Sequence, residues 1–146
     1  MADSVETLRV QKDLFIAATP DTVFESILEE IGSAMRHGDG AVMPMKVEPW
    51  PGGRWYRDVG ANAGHLWGHV QVIKPPTLLE ICGPMFMSYA AASHLQYRLT
   101  AEENITRIKL THTAFGMIPD GEREGVNEGW SYKLQRIREI AESKNR

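Results

Sequence analysis

With a single cysteine, Cys82, in 146 residues, the chain cannot form an internal disulfide. The thiol ends the apolar segment Leu78-Leu79-Glu80-Ile81-Cys82, where a buried structural role is expected. Long hydrophobic runs are missing too, and nothing approaches the ~20 apolar residues of a membrane helix. Met1 to Val10 holds Asp3 and Glu6 but no apolar core, so no signal peptide is expected and the cytoplasm is the default compartment. Positive charge is not in surplus. Lys and Arg number 16 against 19 Asp and Glu, a formal net charge of -3, and no basic run alternates with aromatics, which argues against a nucleic-acid partner. There is no Cys-x-x-Cys, His-Glu-x-x-His or acidic calcium loop, and Gly52-Gly53 lacks the spacing and following Lys of a phosphate loop, so no metal or cofactor is expected. A Gly-x-Ser-x-Gly nucleophile elbow is likewise absent.

What is present reads as one domain over residues 1–146, long enough to bury roughly 68–70% of its unfolded surface. Leu8, Val10, Leu14 and Ile16 alternate with Arg9, Gln11 and Asp13, the period of a half-buried strand. Thr19-Pro20 then offers an N-cap and a first-turn proline, and Val23, Phe24, Ile27, Leu28 and Ile31 form a helical stripe. Gly32 to Gly40 reads as a loop. Strands are predicted over Trp55 to Val59, Leu66 to Ile73, Leu78 to Ile81, His94 to Thr100 and Ile105 to Phe115. Beyond Pro119 the period returns to helical, with Asp120 as the predicted cap, Val126, Trp130, Leu134, Ile137 and Ala141 on one face, and fraying expected from Ser143 to Arg146. Strand, helix, antiparallel strands, helix is an α+β order with the helices segregated on one side of a sheet.

The ordered series Trp50-Pro51-Gly52-Gly53-Arg54-Trp55, Gly68-His69-Val70, Pro75-Pro76, Leu110-Thr111-His112 and Gly129-Trp130 resembles the START-like (SRPBCC) superfamily. Within it the chain resembles the domain similar to the ATPase activator of the ninety-kilodalton heat-shock chaperone, from about Leu8 to Ile140. The resemblance implies a helix-grip fold, a curved antiparallel β-sheet wrapped around a long C-terminal α-helix over an internal cavity. It implies a pocket before it implies a reaction, and a chaperone among the possible partners.

Several side chains compete for a role in such a pocket. His112 alternates with Ile108 and Leu110 and should face inward; it reads first as a satisfied core histidine and second as an acid or base. Arg57 alternates with Trp55 and Val59, so it either meets a ligand carboxylate or escapes to water at the sheet rim. His65 and His69 flank Trp67 on one predicted strand face, about 13 Å apart and too far to share an ion. Met85, Met87, Tyr97 and Trp130 supply large, adaptable apolar surface, as do Met35, Met43 and Met45. Gly129 costs helix propensity beside Trp130, which predicts close backbone approach. The predicted ligand site is therefore Trp55, Arg57, Trp67, Met85, Met87, Tyr97, Leu110, His112 and Trp130. Binding of a small hydrophobic or amphipathic molecule is the first expectation. A cavity cyclase, isomerase or hydrolase using His112, and a chaperone accessory, are the alternatives.

Overall fold

The computed structural model describes residues 4–145. The leader reading over Met1 to Asp3 and the fraying predicted at Arg146 lie outside them. Period-two alternation builds β1 (Glu6–Ile16), in which Leu8, Val10 and Ile16 are buried while Arg9, Gln11 and Asp13 face water. Thr19 caps α1 (Pro20–Ile31), its hydroxyl accepting the Thr22 amide at 3.3 Å. The remaining strands are β2 (Lys46–Val47), β3 (Arg54–Gly60), β4 (Ala63–Lys74), β5 (Leu78–Gly83), β6 (Ala91–Glu102) and β7 (Ile105–Gly116), and the chain closes on α2 (Glu122–Ser143). All seven strands form one antiparallel sheet in the order β1-β7-β6-β5-β4-β3-β2.

The curved sheet and the two helices enclose a single core in a helix-grip α+β fold. Trp55, Ile81, Leu95, Tyr97, Leu110 and Ile108 come from the sheet, and Val126, Trp130, Leu134 and Ile137 come from α2. Trp55 also ties a helix end to the sheet. Its indole N–H donates to the Ile31 carbonyl at 2.7 Å, satisfying an acceptor that the last turn of α1 leaves open.

Three local expectations are corrected. Asp120 does not cap α2: Gly121 occupies the cap in the left-handed region, φ 86°, with no side-chain cap bond, a conformation that glycine takes without steric cost. The last turns are not frayed through Asn145. Glu142 accepts the Ala17 amide at 2.9 Å, Asn145 donates to the Ala17 carbonyl, and Lys144 pairs with Glu29 at 2.8 Å. Cys82 is half-buried rather than buried, its thiol donating to Gln71 Oε1 at 2.7 Å.

The correction that matters most for the interior lies between β3 and β4. Trp55 pairs with Gly68 but Tyr56 pairs with Leu66, so Trp67 is an extra residue in a bulge. The bulge shifts the alternation by one residue. Trp67 and Val70 are both buried, while His69 turns out to solvent, so His65 and His69 do not flank Trp67 on one face as predicted. Gly68 sits at the crossing because a β-carbon there would stand 2.7 Å from the Cys82 carbonyl oxygen.

Candidate functional site

The N-terminal half of α2 borders a cleft of about 300 Å³. Glu122, Gly125, Val126, Gly129, Trp130 and Lys133 line it at helical spacing. Opposite them stand Trp67 and Phe86 from the sheet side, and Arg36, His37, Gly38 and Met43 from the segment after α1. That segment is a tight loop rather than slack chain. The His37 amide donates to the Ala41 carbonyl and the Met43 amide to the Met35 carbonyl, each at 2.9 Å, and Arg136 of α2 donates to the Ala34 carbonyl at 3.2 Å.

Aromatic rings run from the sheet into this cleft. Trp55 and Trp67 pack edge to face at 5.0 Å, Trp67 and Phe86 at 5.8 Å, and Phe86 meets Trp130 at 6.3 Å with a tilt of 57°. The Trp67 indole N–H is satisfied by His65 Nδ1 at 3.1 Å, which leaves the ring free to present an apolar face. Gly125 and Gly129 carry the bare backbone of α2 past these rings, and a β-carbon on either would meet nothing within 4 Å. The close approach predicted at Gly129 is thus corrected: the space beside it is open.

Behind Trp130 the interior is closed by a directional chain of hydrogen bonds. The Trp130 indole, a donor only, gives its proton to His112 Nδ1 at 2.9 Å, and His112 Nε2 lies 2.9 Å from Ser93 Oγ. Because Nδ1 must offer its lone pair to Trp130, the neutral ring carries its proton on Nε2 and donates to Ser93. The Ser93 hydroxyl then makes a weak contact to Met87 Sδ at 3.9 Å. His112 is fully buried, and desolvation pushes its pKa down from 6.5 to about 4, so it is neutral in this chain of bonds. A histidine that already donates to the serine cannot also take the serine's proton. With both ring nitrogens engaged and, among the described residues, no carboxylate hydrogen-bonded to it, His112 has the geometry of a satisfied core residue and not of a general base.

The second polar group in the interior is less complete. Lys133, 9% exposed, reaches Glu30 Oε2 of α1 at 3.3 Å, and Glu30 is entirely buried. The other carboxylate oxygen, Glu30 Oε1, has no hydrogen-bond partner among the described residues, nor does the hydroxyl of fully buried Tyr97. Burial raises the Glu30 pKa, against the lowering pull of Lys133 and then Arg136; burial, and the charge of Glu30, push the Tyr97 phenol well up. The fold therefore holds a buried ion pair with unused hydrogen-bonding capacity, of which only the Lys133 side borders the cleft.

The predicted residues divide into three groups. Trp67 and Trp130 line the cleft. Trp55, Met85, Met87, Tyr97, Leu110 and His112 are buried in the core and none borders it. Arg57 lies elsewhere, opposite His65 in the sheet, lining an open depression around the β3–β4 turn with Asp58 and Asn62. Phe86, Gly125, Lys133 and Glu30 were not predicted. Two of them left a sequence signal, since Val23, Ile27 and Glu30, and again Val126, Trp130 and Lys133, share an i, i+4, i+7 row in which one member is charged.

Residues 17–142 match the family model described as Activator of Hsp90 ATPase homolog 1-like protein, within the SRPBCC superfamily. No curated protein matches the sequence. Among solved structures, the fold is similar to a putative uncharacterized protein from Rhizobium leguminosarum, at 17% identity and TM-score 0.75, covering 96% of this chain and 97% of that one. It is similar to CalU16 from Micromonospora echinospora, at 17% identity and TM-score 0.63, covering 95% and 87%. It is also similar to the di-domain ARO/CYC StfQ from the steffimycin biosynthetic pathway, at 12% identity and TM-score 0.68, covering 95% of this chain and 52% of that one. Among the described residues, no helix is long and apolar enough to cross a membrane.

Proposed function

This chain belongs to the Activator of Hsp90 ATPase homolog 1-like protein family, and from that premise we propose that it binds a small hydrophobic or amphipathic molecule between the sheet and α2. The observation that carries the reading is the cleft wall itself. Trp67 and Phe86 offer aromatic faces, and opposite them α2 sets Trp130 beside bare backbone at Gly125 and Gly129. Two glycines four residues apart each cost a helix roughly 1 kcal/mol relative to alanine, and internal packing does not require them, since nothing stands where their β-carbons would go. Space kept open at a cost in stability is what a binding site needs. The similarity in fold to an ARO/CYC protein of a biosynthetic pathway is consistent with a small-molecule ligand.

The reading is tested with a neutral aromatic fluorophore, N-phenyl-1-naphthylamine, titrated into folded protein. Saturable binding of about one probe per chain is expected, lost in Gly129→Leu, whose added side chain fills the cleft. Binding that is unchanged in that variant while its cooperative melt is intact would place the probe elsewhere and remove the support for this site.

A further inference from the structure

The cleft is chemically lopsided. Its outer end begins at Glu122 and its inner end stops at Lys133, eleven residues later and therefore ~16 Å along the helix axis. The middle is apolar, with Val126, Trp130 and Phe86. At the inner end Lys133 lines the space although the residue is nine-tenths enclosed. An ammonium carries three donors, and among the described residues this one has a single acceptor, Glu30 Oε2, at a long 3.3 Å. Enclosed donors without acceptors are costly, so the group is set up to receive one. Two more nitrogen-bearing side chains, Arg36 and His37, line the cleft from the loop that Arg136 ties to α2 through the Ala34 carbonyl.

Resting on the reading that the cleft holds a ligand, we infer that this ligand is an amphipathic anion, with an apolar, ring-sized body against Trp67, Phe86 and Trp130 and an anionic group on the free donors of Lys133. Glu30 is then the element that holds Lys133 in place. Its carboxylate, entirely buried, accepts one N–H of the ammonium at 3.3 Å and leaves the other two without an acceptor among the described residues. The side-chain guanidinium of Arg36, exposed on the loop, adds a second cation that can swing toward the same anion. Glu122, at the opposite end, sets the orientation by repelling the anionic group there.

The test compares two probes with the same aromatic skeleton. 1-Anilinonaphthalene-8-sulfonate carries an anion and N-phenyl-1-naphthylamine does not. Wild-type protein is expected to bind the sulfonate at least about tenfold more tightly, the size of one charge-assisted hydrogen bond. Lys133→Met leaves a buried carboxylate, so the informative variant is Lys133→Met with Glu30→Gln, checked for a cooperative melt. It should weaken the sulfonate about tenfold and leave the neutral probe within about twofold, since only the charged contact is removed. A variant that does not fold is replaced by Arg36→Ala in the exposed loop, which is expected to weaken the sulfonate alone by about threefold. Equal affinities in wild type, or a preference that survives the substitutions, overturn the inference while leaving an apolar cleft ligand standing. Failure of both probes to bind the folded protein overturns the inference and the proposed function together.

Discussion

Trp130 and Lys133 stand one turn apart on α2, both at least nine-tenths enclosed, and their polar atoms meet opposite conditions. The indole N–H of Trp130 begins a series in which each donor finds an acceptor, through His112 and Ser93. The ammonium of Lys133 begins a group in which Glu30 Oε1 and the Tyr97 hydroxyl find none among the described residues. The difference separates architecture from opportunity. A completed buried network rigidifies a core and has no capacity left for chemistry, whereas an incomplete one that borders an open cleft through Lys133 keeps donors for something that enters.

The largest expected effect is at the completed network. Trp130→Ala should cost about 3–5 kcal/mol in a denaturant titration, since it removes a ring that is 1% exposed at the centre of the core. Trp130→Phe retains most of the volume and isolates the hydrogen bond, with an expected cost of about 1–3 kcal/mol for the acceptor left at His112 Nδ1. If the phenylalanine variant is as stable as wild type, the network is incidental to the fold and the contrast with Lys133 loses its meaning.

The two groups should also answer pH with opposite sign. The folded pKa of His112, about 4, lies below its ordinary 6.5, so the stability it contributes is complete above pH 6.5 and is lost as pH falls toward 4. That interval of about 2.5 pKa units corresponds to roughly 3 kcal/mol. His112→Gln should flatten this acid limb in denaturant titrations made between pH 7 and 4. Glu30 runs the other way. Its folded pKa is raised, so its favourable contribution is complete below pH 4.5 and is lost as pH rises through the folded value. Glu30→Gln should therefore remove a decline on the less acidic side and leave the His112 limb untouched. A single common slope for both variants would merge the two regions into one titrating unit.

How much of this was legible in the sequence depended on whether side-chain period and backbone register agreed. Leu8 to Ile16, Leu79 and Ile81, and the stripe from Val126 to Ala141 kept their period, and the helix-grip architecture followed from them together with the family resemblance. His112 was readable as an inward histidine for the same reason, since β7 pairs with β1 and β6 without a shift. The inward count failed where a bulge intervened. Trp67 is the surplus residue between β3 and β4, so His69 lies on the outer face although alternation put it with Trp67. The cleft itself was the least legible element. Its walls come from α2, the loop after α1, Trp67 of β4 and the Phe86 turn, four segments that only the folded chain brings together, and its strongest sequence clue was a charged residue set into each of two apolar stripes, Glu30 and Lys133.

The smallest predicted change bears most directly on why the cleft is open. Gly129→Ala should stabilise the protein by about 1 kcal/mol, because alanine is the better helix former and its methyl group meets nothing within 4 Å. Gly125→Ala should add a similar amount, and the two should sum approximately if each acts only on its own turn. A gain in stability says that the fold did not need these glycines. The sharper outcome is their effect on the neutral probe: both glycines border the cleft that Trp67, Phe86 and Trp130 also line, so affinity should fall as stability rises. Substitutions that raise the melting temperature and leave probe binding untouched would show that the open backbone serves nothing in the cleft, and would reduce the contrast between the two regions of α2 to one of hydrogen bonding alone.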